Sequence, residues 1–493
     1  MTIYITFLIG YIIMIMTISL LSKRKAQNVS GYLLGGRAIP PWMSAFSYGT
    51  AYFSAVLFIG YAGKIGWNFG LSAMWIVIGN TFVGTYLAWE VLGKRTREMT
   101  QRLNVATMPE FLEVRYKSKN LKIVSATIIF VFLMPYAASV YKGLGYLFEE
   151  IFGIPTYIIL IIMMVLTALY LFAGGLVAAT MVDFVQGCIM IVGVILMLFF
   201  VIRFPAVGGV GGAVAKLKTI NPALVSPIGP PGIVPILSLV ILTSLGSWGL
   251  PQMVHKFYTI KSQDSIRVAK WVSTGFALLI TTGAYFTGSV SRLILGNQCP
   301  TINGTPVYDQ IIPLVISDTL PKVVAAIILV LVLSASMSTL ASLVLASSSA
   351  IAIDLLKTVK PTVSNKTLMW ALKILCVVFV AISYMMATMN SPILNLASLS
   401  WGAVSGCLLA PYLLGLYWKK ATKQGVWAGM VTALSIVIYG VMQYGFKSSY
   451  IPTIGAMAIV IPIATMTLVS LVTESYEEKH LCYVFPEVME EVV

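Results

Sequence analysis

Charge is what this sequence has least of. Only 10% of its 493 residues are Asp, Glu, Lys or Arg, where a soluble globular protein carries about a quarter. A fold with a hydrated surface all round is therefore excluded. Histidine is scarcer still, with only His255 and His480. No Ser/His/Asp set, phosphate-binding glycine loop or paired carboxylates inside apolar stretches accompany them, so nothing supports an enzyme. The five cysteines, Cys188, Cys299, Cys376, Cys407 and Cys482, lie far apart. They form no CxxC or Cys/His cluster for a metal, and only Cys299 falls in an expected outer loop, so disulfides are not expected. A long polar linker is also missing, which leaves residues 1–493 as one domain.

What is abundant is apolar sequence: 58% of residues and a mean hydropathy of +0.92. Runs of about 18 or more apolar residues recur along the chain, each long enough to cross roughly 30 Å of hydrocarbon. The run at 3–22 is too long for a signal-peptide core, has no basic residue before it and no small-residue cleavage site after it; it reads as the first span. Thirteen candidate spans follow from hydropathy: 3–22, 42–63, 70–93, 121–150, 155–173, 180–204, 233–255, 270–296, 322–356, 368–388, 394–418, 425–445 and 450–473. The net charge of +15 is one-sided. Lys23, Arg24, Lys25, Arg37, the dense cluster from Lys94 to Lys122, Lys256 to Lys270, Lys357 to Lys373 and Lys419 to Lys423 all fall on one face. The positive-inside rule then puts the N-terminus outside and the C-terminus inside. The excess charge is an orientation signal with some attraction to anionic lipid; with no soluble basic face, nucleic-acid binding is not expected. Asn303-Gly304-Thr305 is a glycosylation sequon with meaning only in a eukaryotic secretory pathway.

The most informative of the long spans is 322–356. It carries Ala335-Ser336-Met337-Ser338-Thr339, then Ser342 and Ser347-Ser348-Ser349. Hydroxyl and carbonyl oxygens gathered at bilayer depth are what a small hard cation needs when it sheds water. Helix packing and hydroxyls bonded to their own backbone account for such a run equally well. Two other spans look interrupted, at Phe46 to Ser54 with Gly60 and Gly63, and at Leu245-Gly246-Ser247-Trp248-Gly249-Leu250-Pro251-Gln252. Gly and Pro free backbone groups that a membrane tolerates only beside a cavity. Their separation of five spans fits the first helices of two inverted five-helix repeats.

Several segments together resemble the sodium:solute symporter family, in its proline- and pantothenate-type bacterial branch. They are Gly31-Tyr32-Leu33-Leu34-Gly35-Gly36-Arg37, the stretch from Gly174-Gly175 through Asp183 to Gln186, Ala335 to Leu340, Pro411 to Trp418, and Thr422-Lys423-Gln424-Gly425. The resemblance implies an all-α polytopic membrane protein with the leucine-transporter-like 5+5 inverted repeat. It gives an extra N-terminal helix and first cytoplasmic loop (1–39), a ten-helix core (40–418), two extra helices (419–473) and a cytoplasmic tail (474–493). It implies sodium-coupled import of a small organic solute by alternating access, in a bacterial or archaeal inner membrane. The implied sodium ligands are the carbonyls of Thr50, Phe53 and Ala335 and the hydroxyls of Ser338 and Thr339, with Asp183 on the sodium exit path. A helix-terminal acid interacting with the dipole is the alternative for Asp183.

The implied solute site draws on Tyr52, Val56, Tyr136, Ser247, Trp248 and Gln252. Tyr136 resembles a substrate tyrosine of the proline branch, but that branch has aspartate in place of Tyr52 and tryptophan in place of Val56. Gly249-Leu250-Pro251 is similar to the pantothenate branch. Lys142, inside the fourth span and about 9 Å along the helix from Tyr136, is a candidate partner for a solute carboxylate, or else it snorkels toward the outer interface; Arg292 poses the same choice. The expected solute is thus a carboxylate or an amino acid. A sodium-independent or proton-coupled transporter and a solute sensor on the same fold stay open. A channel would need a filter or charged ring, and the sequence offers neither. The oligomeric state is not legible.

Overall fold

The structure is a computed structural model that describes residues 1–22, 33–302, 304–389 and 391–485. Lys23, Arg24, Lys25, Gly31, Tyr32 and Asn303 lie outside the described residues. The described chain is almost wholly helical, as lipid demands of a backbone that must satisfy itself. A small hairpin pairing Thr301–Ile302 with Thr305–Pro306 is the exception. Among the described residues, nine helices are long and apolar enough to cross a membrane, or ten if the bent pair Ile233–Gly249 and Pro251–Thr259 is one span.

The difference from thirteen has local causes. Helical structure runs through Val56–Arg102 and merges two expected spans, although Gly70 sits within it at φ 60 and ψ −140, a conformation open to glycine and closed to other residues. The expected spans 155–173 and 180–204 fall in one continuous helix, Thr156–Arg203. The Gln263–Ile294 helix is long enough, but Ser273, Thr274, Thr281, Thr282 and Thr287 dilute its apolar stretch.

Burial separates centre from periphery. The apolar window of Ile393–Tyr417 is 100% buried and that of Lys322–Val359 is 89% buried, whereas that of Thr2–Leu21 is only 17% buried. The peripheral helices turn large apolar side chains outward, among them Trp271, Ile374, Tyr439 and Met442, as lipid-facing surfaces do.

Two helices at the centre are broken. The first begins at Pro41, preceded by extended Pro40, and runs to Tyr52; proline suits that opening position because its missing N–H would have no helical partner. At Phe53 the backbone is extended, with φ −110 and ψ 106. The chain re-enters helix through Ser54, whose Oγ accepts the Val56 N–H at 3.2 Å, while the freed Ala55 N–H donates to Ser336 Oγ at 3.2 Å. The second break follows the same logic. A 3-10 turn at Leu245–Gly249 gives way to extended Leu250, and Pro251 opens the Pro251–Thr259 helix at a bend of 46°. The Gly246 carbonyl left over accepts the Ser405 hydroxyl. At each interruption a serine on a neighbouring helix takes up one of the freed backbone groups.

On the face carrying the loops rich in Lys and Arg, the Glu478–Val484 helix folds back onto the bundle. His480 meets the Arg115 carbonyl at 3.0 Å, and the Arg115 guanidinium stands 5.0 Å from the Phe485 ring centre. Arg115 also donates to the Gly415 and Trp418 carbonyls.

Candidate cation pocket and solute cavity

The oxygens expected to hold sodium converge at the first break. Thr339 Oγ1 lies 3.1 Å from the Thr50 carbonyl, 3.3 Å from that of Ala51 and 3.0 Å from that of Ala335. One hydroxyl proton cannot satisfy three carbonyls, so this is an oxygen-rich, donor-poor place that suits a cation. Ser338 Oγ lies 2.8 Å from Thr50 Oγ1. Phe53 closes the helical half, and its extended backbone turns its carbonyl out of the helical ladder. All five residues are buried. The Ala51 carbonyl is an addition that the sequence did not suggest. The oxygens are neutral, so a monovalent ion that needs little charge compensation matches the set.

Asp183 adjoins this pocket. Its Oδ1 accepts the Ser338 hydroxyl at 2.6 Å and its Oδ2 accepts that of Ser47. Lys256, counted from the sequence among the basic residues of an inner loop, is instead buried here: Nζ lies 3.7 Å from Asp183 Oδ2, 2.7 Å from Ser47 Oγ and 3.2 Å from Ser342 Oγ. The expected span ends at 255, four residues short of the end of this helix at Thr259. The Pro251–Thr259 helix continues past it and carries Lys256 inward. A lysine one turn beyond a proline-opened half-helix was the missed signal.

A separate small cavity abuts the same break. It is lined by Tyr52, Phe53, Ser54, Val56, Leu57, Tyr61, Asn80, Tyr136, Thr243, Tyr285, Ala397 and Trp401. Three expected solute residues, Tyr52, Val56 and Tyr136, face it. Tyr52 donates to the Thr243 carbonyl at 2.5 Å, and its ring lies near parallel to Trp401 at 6.1 Å. Tyr136 meets Trp401 edge-on at 5.5 Å. Asn80 Oδ1 accepts from Thr243 at 2.8 Å and Ser244 at 3.0 Å. Tyr285 Oη and Trp401 Nε1 are buried without a protein partner. No Asp, Glu, Lys or Arg lines the cavity.

The other expected solute residues sit elsewhere. Ser247 bonds the Ser244 carbonyl at 2.8 Å, and Trp248 Nε1 donates to the Val83 carbonyl at 3.0 Å. Gln252 lines a second cavity with His255, Lys256 and Ser342, and its amide has no protein partner. Lys142 donates to the carbonyls of Met389 and Ser391 in the connection before Ile393, so it is not among the residues around the solute cavity. Arg292 donates to the Trp67 carbonyl at 2.7 Å and to Asn297 at 2.6 Å. Asn80, Thr243, Tyr285 and Trp401 were missed. Trp401 stands in Ser398-Leu399-Ser400-Trp401-Gly402, a polar interruption of an apolar span that was a usable signal.

The sequence pattern of the Sodium:solute symporter family matches residues 32–433. The osmoregulated proline transporter OpuE of Bacillus subtilis (strain 168) is 29% identical over 435 residues, covering 87% of this chain and 86% of its own length. The high-affinity proline transporter PutP of the same organism is 31% identical over 422 residues, covering 84% and 87%. A sodium/proline symporter of Staphylococcus aureus is 30% identical over 443 residues, covering 87% and 84%. Among solved structures, a substrate-bound, outward-open Na+-coupled sialic acid symporter superposes with TM-score 0.74 at 18% identity, covering 96% of this chain and 99% of its own. The nucleobase-cation symporter Mhp1 in a closed conformation gives TM-score 0.52 at 15% identity, covering 92% and 97%; both likenesses concern the fold alone. With the pattern spanning most of its length and relatives alike over more than four fifths of it, the chain belongs to the sodium:solute symporter family and is a sodium-dependent, multi-pass protein of the cell membrane.

Proposed function

We propose that the chain imports a small zwitterionic amino acid together with sodium, and that proline is the first solute to test. The observation that carries this reading is the shared wall at the first break. Tyr52, Phe53 and Ser54 line the solute cavity, while Thr50, Ala51 and Phe53 offer carbonyls beside Ser338 and Thr339. An ion drawing the 335–339 turn onto residues 50–53 orders the backbone that the solute touches. Each ligand then favours the state that the other favours, which is coupling in the thermodynamic sense. Sodium is held by the Thr50, Phe53 and Ala335 carbonyls and the Ser338 and Thr339 hydroxyls, and it leaves past Asp183 toward the second cavity.

The cavity favours an amino acid over a net anion. Its walls are aromatic and uncharged, and a lone carboxylate there would lack a counter-charge. The Tyr285 hydroxyl and Trp401 indole N–H supply donors, and the curated relatives transport proline. Tyr52 and Val56 replace the aspartate and tryptophan of the proline branch, so the ammonium end is met by neutral oxygens such as Asn80 and Ser54. Thirteen spans with the N-terminus outside, the C-terminus inside and the ten-helix core at 40–418 complete the reading. Uptake of labelled proline, other amino acids and simple carboxylates into proteoliposomes tests it. Proline uptake that saturates and collapses without a sodium gradient is expected. Equal uptake under a proton gradient alone, or carboxylate uptake in its place, overturns the reading.

A further inference from the structure

We infer that the Lys256 ammonium is a resident cation that fills the one other cation position near the sodium pocket, and so holds the transporter to one sodium per cycle. The inference rests on the assignment of Thr50, Ala335, Ser338 and Thr339 to sodium. It concerns the neighbouring space between Asp183, Ser47 and Ser342.

That space has what a second cation would need. It offers a carboxylate oxygen, Asp183 Oδ2, and two hydroxyl oxygens, Ser47 Oγ and Ser342 Oγ. All three surround Lys256 Nζ, at 3.7, 2.7 and 3.2 Å. The Lys256 side chain is 5% exposed and that of Asp183 is 1% exposed, so each charge relies on the other. Ser338 joins the two places, lying 2.8 Å from Thr50 Oγ1 on one side and 2.6 Å from Asp183 Oδ1 on the other. With Lys256 in place, the pair is neutral and one sodium adds one net charge to the core. A second sodium would leave two net positive charges within a few ångströms in a poorly polarisable interior, which its few oxygens cannot offset. Removing the ammonium reverses the balance: an unpaired buried carboxylate with two hydroxyls beside it is a binding site for a small monovalent cation.

Equilibrium binding of radiolabelled sodium to the purified full chain, with the Hill coefficient and the charge moved per solute in proteoliposomes, tests this. Wild type and Lys256→Arg are expected to bind one sodium, and Lys256→Met two, with charge per solute rising from one to two. The double variant Lys256→Met/Asp183→Asn, which removes both charges, should return to one. Lys256→Met that is unfolded in choline buffer and folded in sodium also supports the inference, because the bare carboxylate then needs the ion. A folded Lys256→Met that still binds one sodium overturns it. So does a wild type that binds two, or a double variant that fails to fold in sodium, since Lys256 is then only structural. If wild type binds none and Lys256→Met binds one, the Thr50–Ser338 assignment falls and the resident cation stands. If neither binds, both fall.

Discussion

At the scale of single residues, the chemistry turns on which oxygens are already spoken for. Thr339 serves three carbonyls with one proton, and Ser338 stands between Thr50 and Asp183. Ser338→Ala and Thr339→Ala each delete one oxygen from a small set while leaving packing nearly unchanged. Each should raise the sodium concentration for half-maximal uptake about tenfold or more, a loss of about 1.4 kcal/mol. Unchanged sodium dependence in both would remove them from the pocket. Lys142 leads to a different expectation from the one its sequence position suggested. Its ammonium holds the Met389 and Ser391 carbonyls, so Lys142→Met should leave equilibrium solute affinity within about threefold of wild type, measured by calorimetry in saturating sodium, and lower thermal stability instead.

Asp309, in the Tyr308–Gln310 turn before the Ile311–Thr319 helix, carries a testable pH dependence. Burial pushes its carboxyl up from 3.8 to about 6, against the Ile393 N–H and the Lys64 and Lys142 ammoniums that hold it down. A carboxyl raised in the folded state binds its proton more tightly there than in the unfolded chain, so its contribution to stability is present in acid and is lost as pH rises from about 4 to about 6. Asp309→Asn should flatten that part of the stability profile in melting scans. A slope unchanged by the substitution would assign it to another group.

At the scale of elements, the two broken helices were legible because Gly and Pro announce them. Pro251 and the Gly246–Gly249 pair mark one break, and the Gly49 to Ser54 stretch marks the other. What closes each break was not legible. Ser336 and Ser405 reach across from helices far away in sequence, and no local pattern encodes such a partner. The end of the second broken helix was misplaced by a few residues, which was enough to hide Lys256, because hydropathy counts a lysine as a terminus even when a buried acid awaits it. Gly249 tests how tightly this element is held. A Cβ there would lie 2.7 Å from Ser405 Cα and 2.8 Å from Leu409 Cβ. Gly249→Ala should therefore destabilise the protein by about 1–3 kcal/mol and slow transport more than it weakens binding, as thermal melts and paired uptake and binding assays would register. Full transport in Gly249→Ala would mean that the two helices part with ease.

At the scale of the whole molecule, composition alone gave the class, and the charge asymmetry gave an orientation that single-cysteine labelling from either side can check. With Cys replaced elsewhere, a thiol at position 447 should react from outside and one at 420 from inside; the opposite pattern would invert the topology. The solute cavity was only partly legible, because its lining comes from six separate helical stretches and an aromatic in an apolar span looks the same from sequence whether it packs or binds. Tyr136 was found through resemblance. Tyr285 and Trp401 required the fold, which alone brings residues 52, 136, 285 and 401 around one space.

The unpartnered indole of Trp401 gives the molecule its own optical gauge. An excited indole responds to the polarity and hydrogen bonding of its surroundings, and this one stands in the solute cavity with its N–H free and two tyrosine rings beside it. Entry of a solute that accepts that N–H should shift and quench its emission in proportion to occupancy, with no label attached. The signal should depend on sodium, and it should vanish in Trp401→Phe while the remaining tryptophans still emit. The chain thereby reports, in fluorescence, the moment at which its central space is filled.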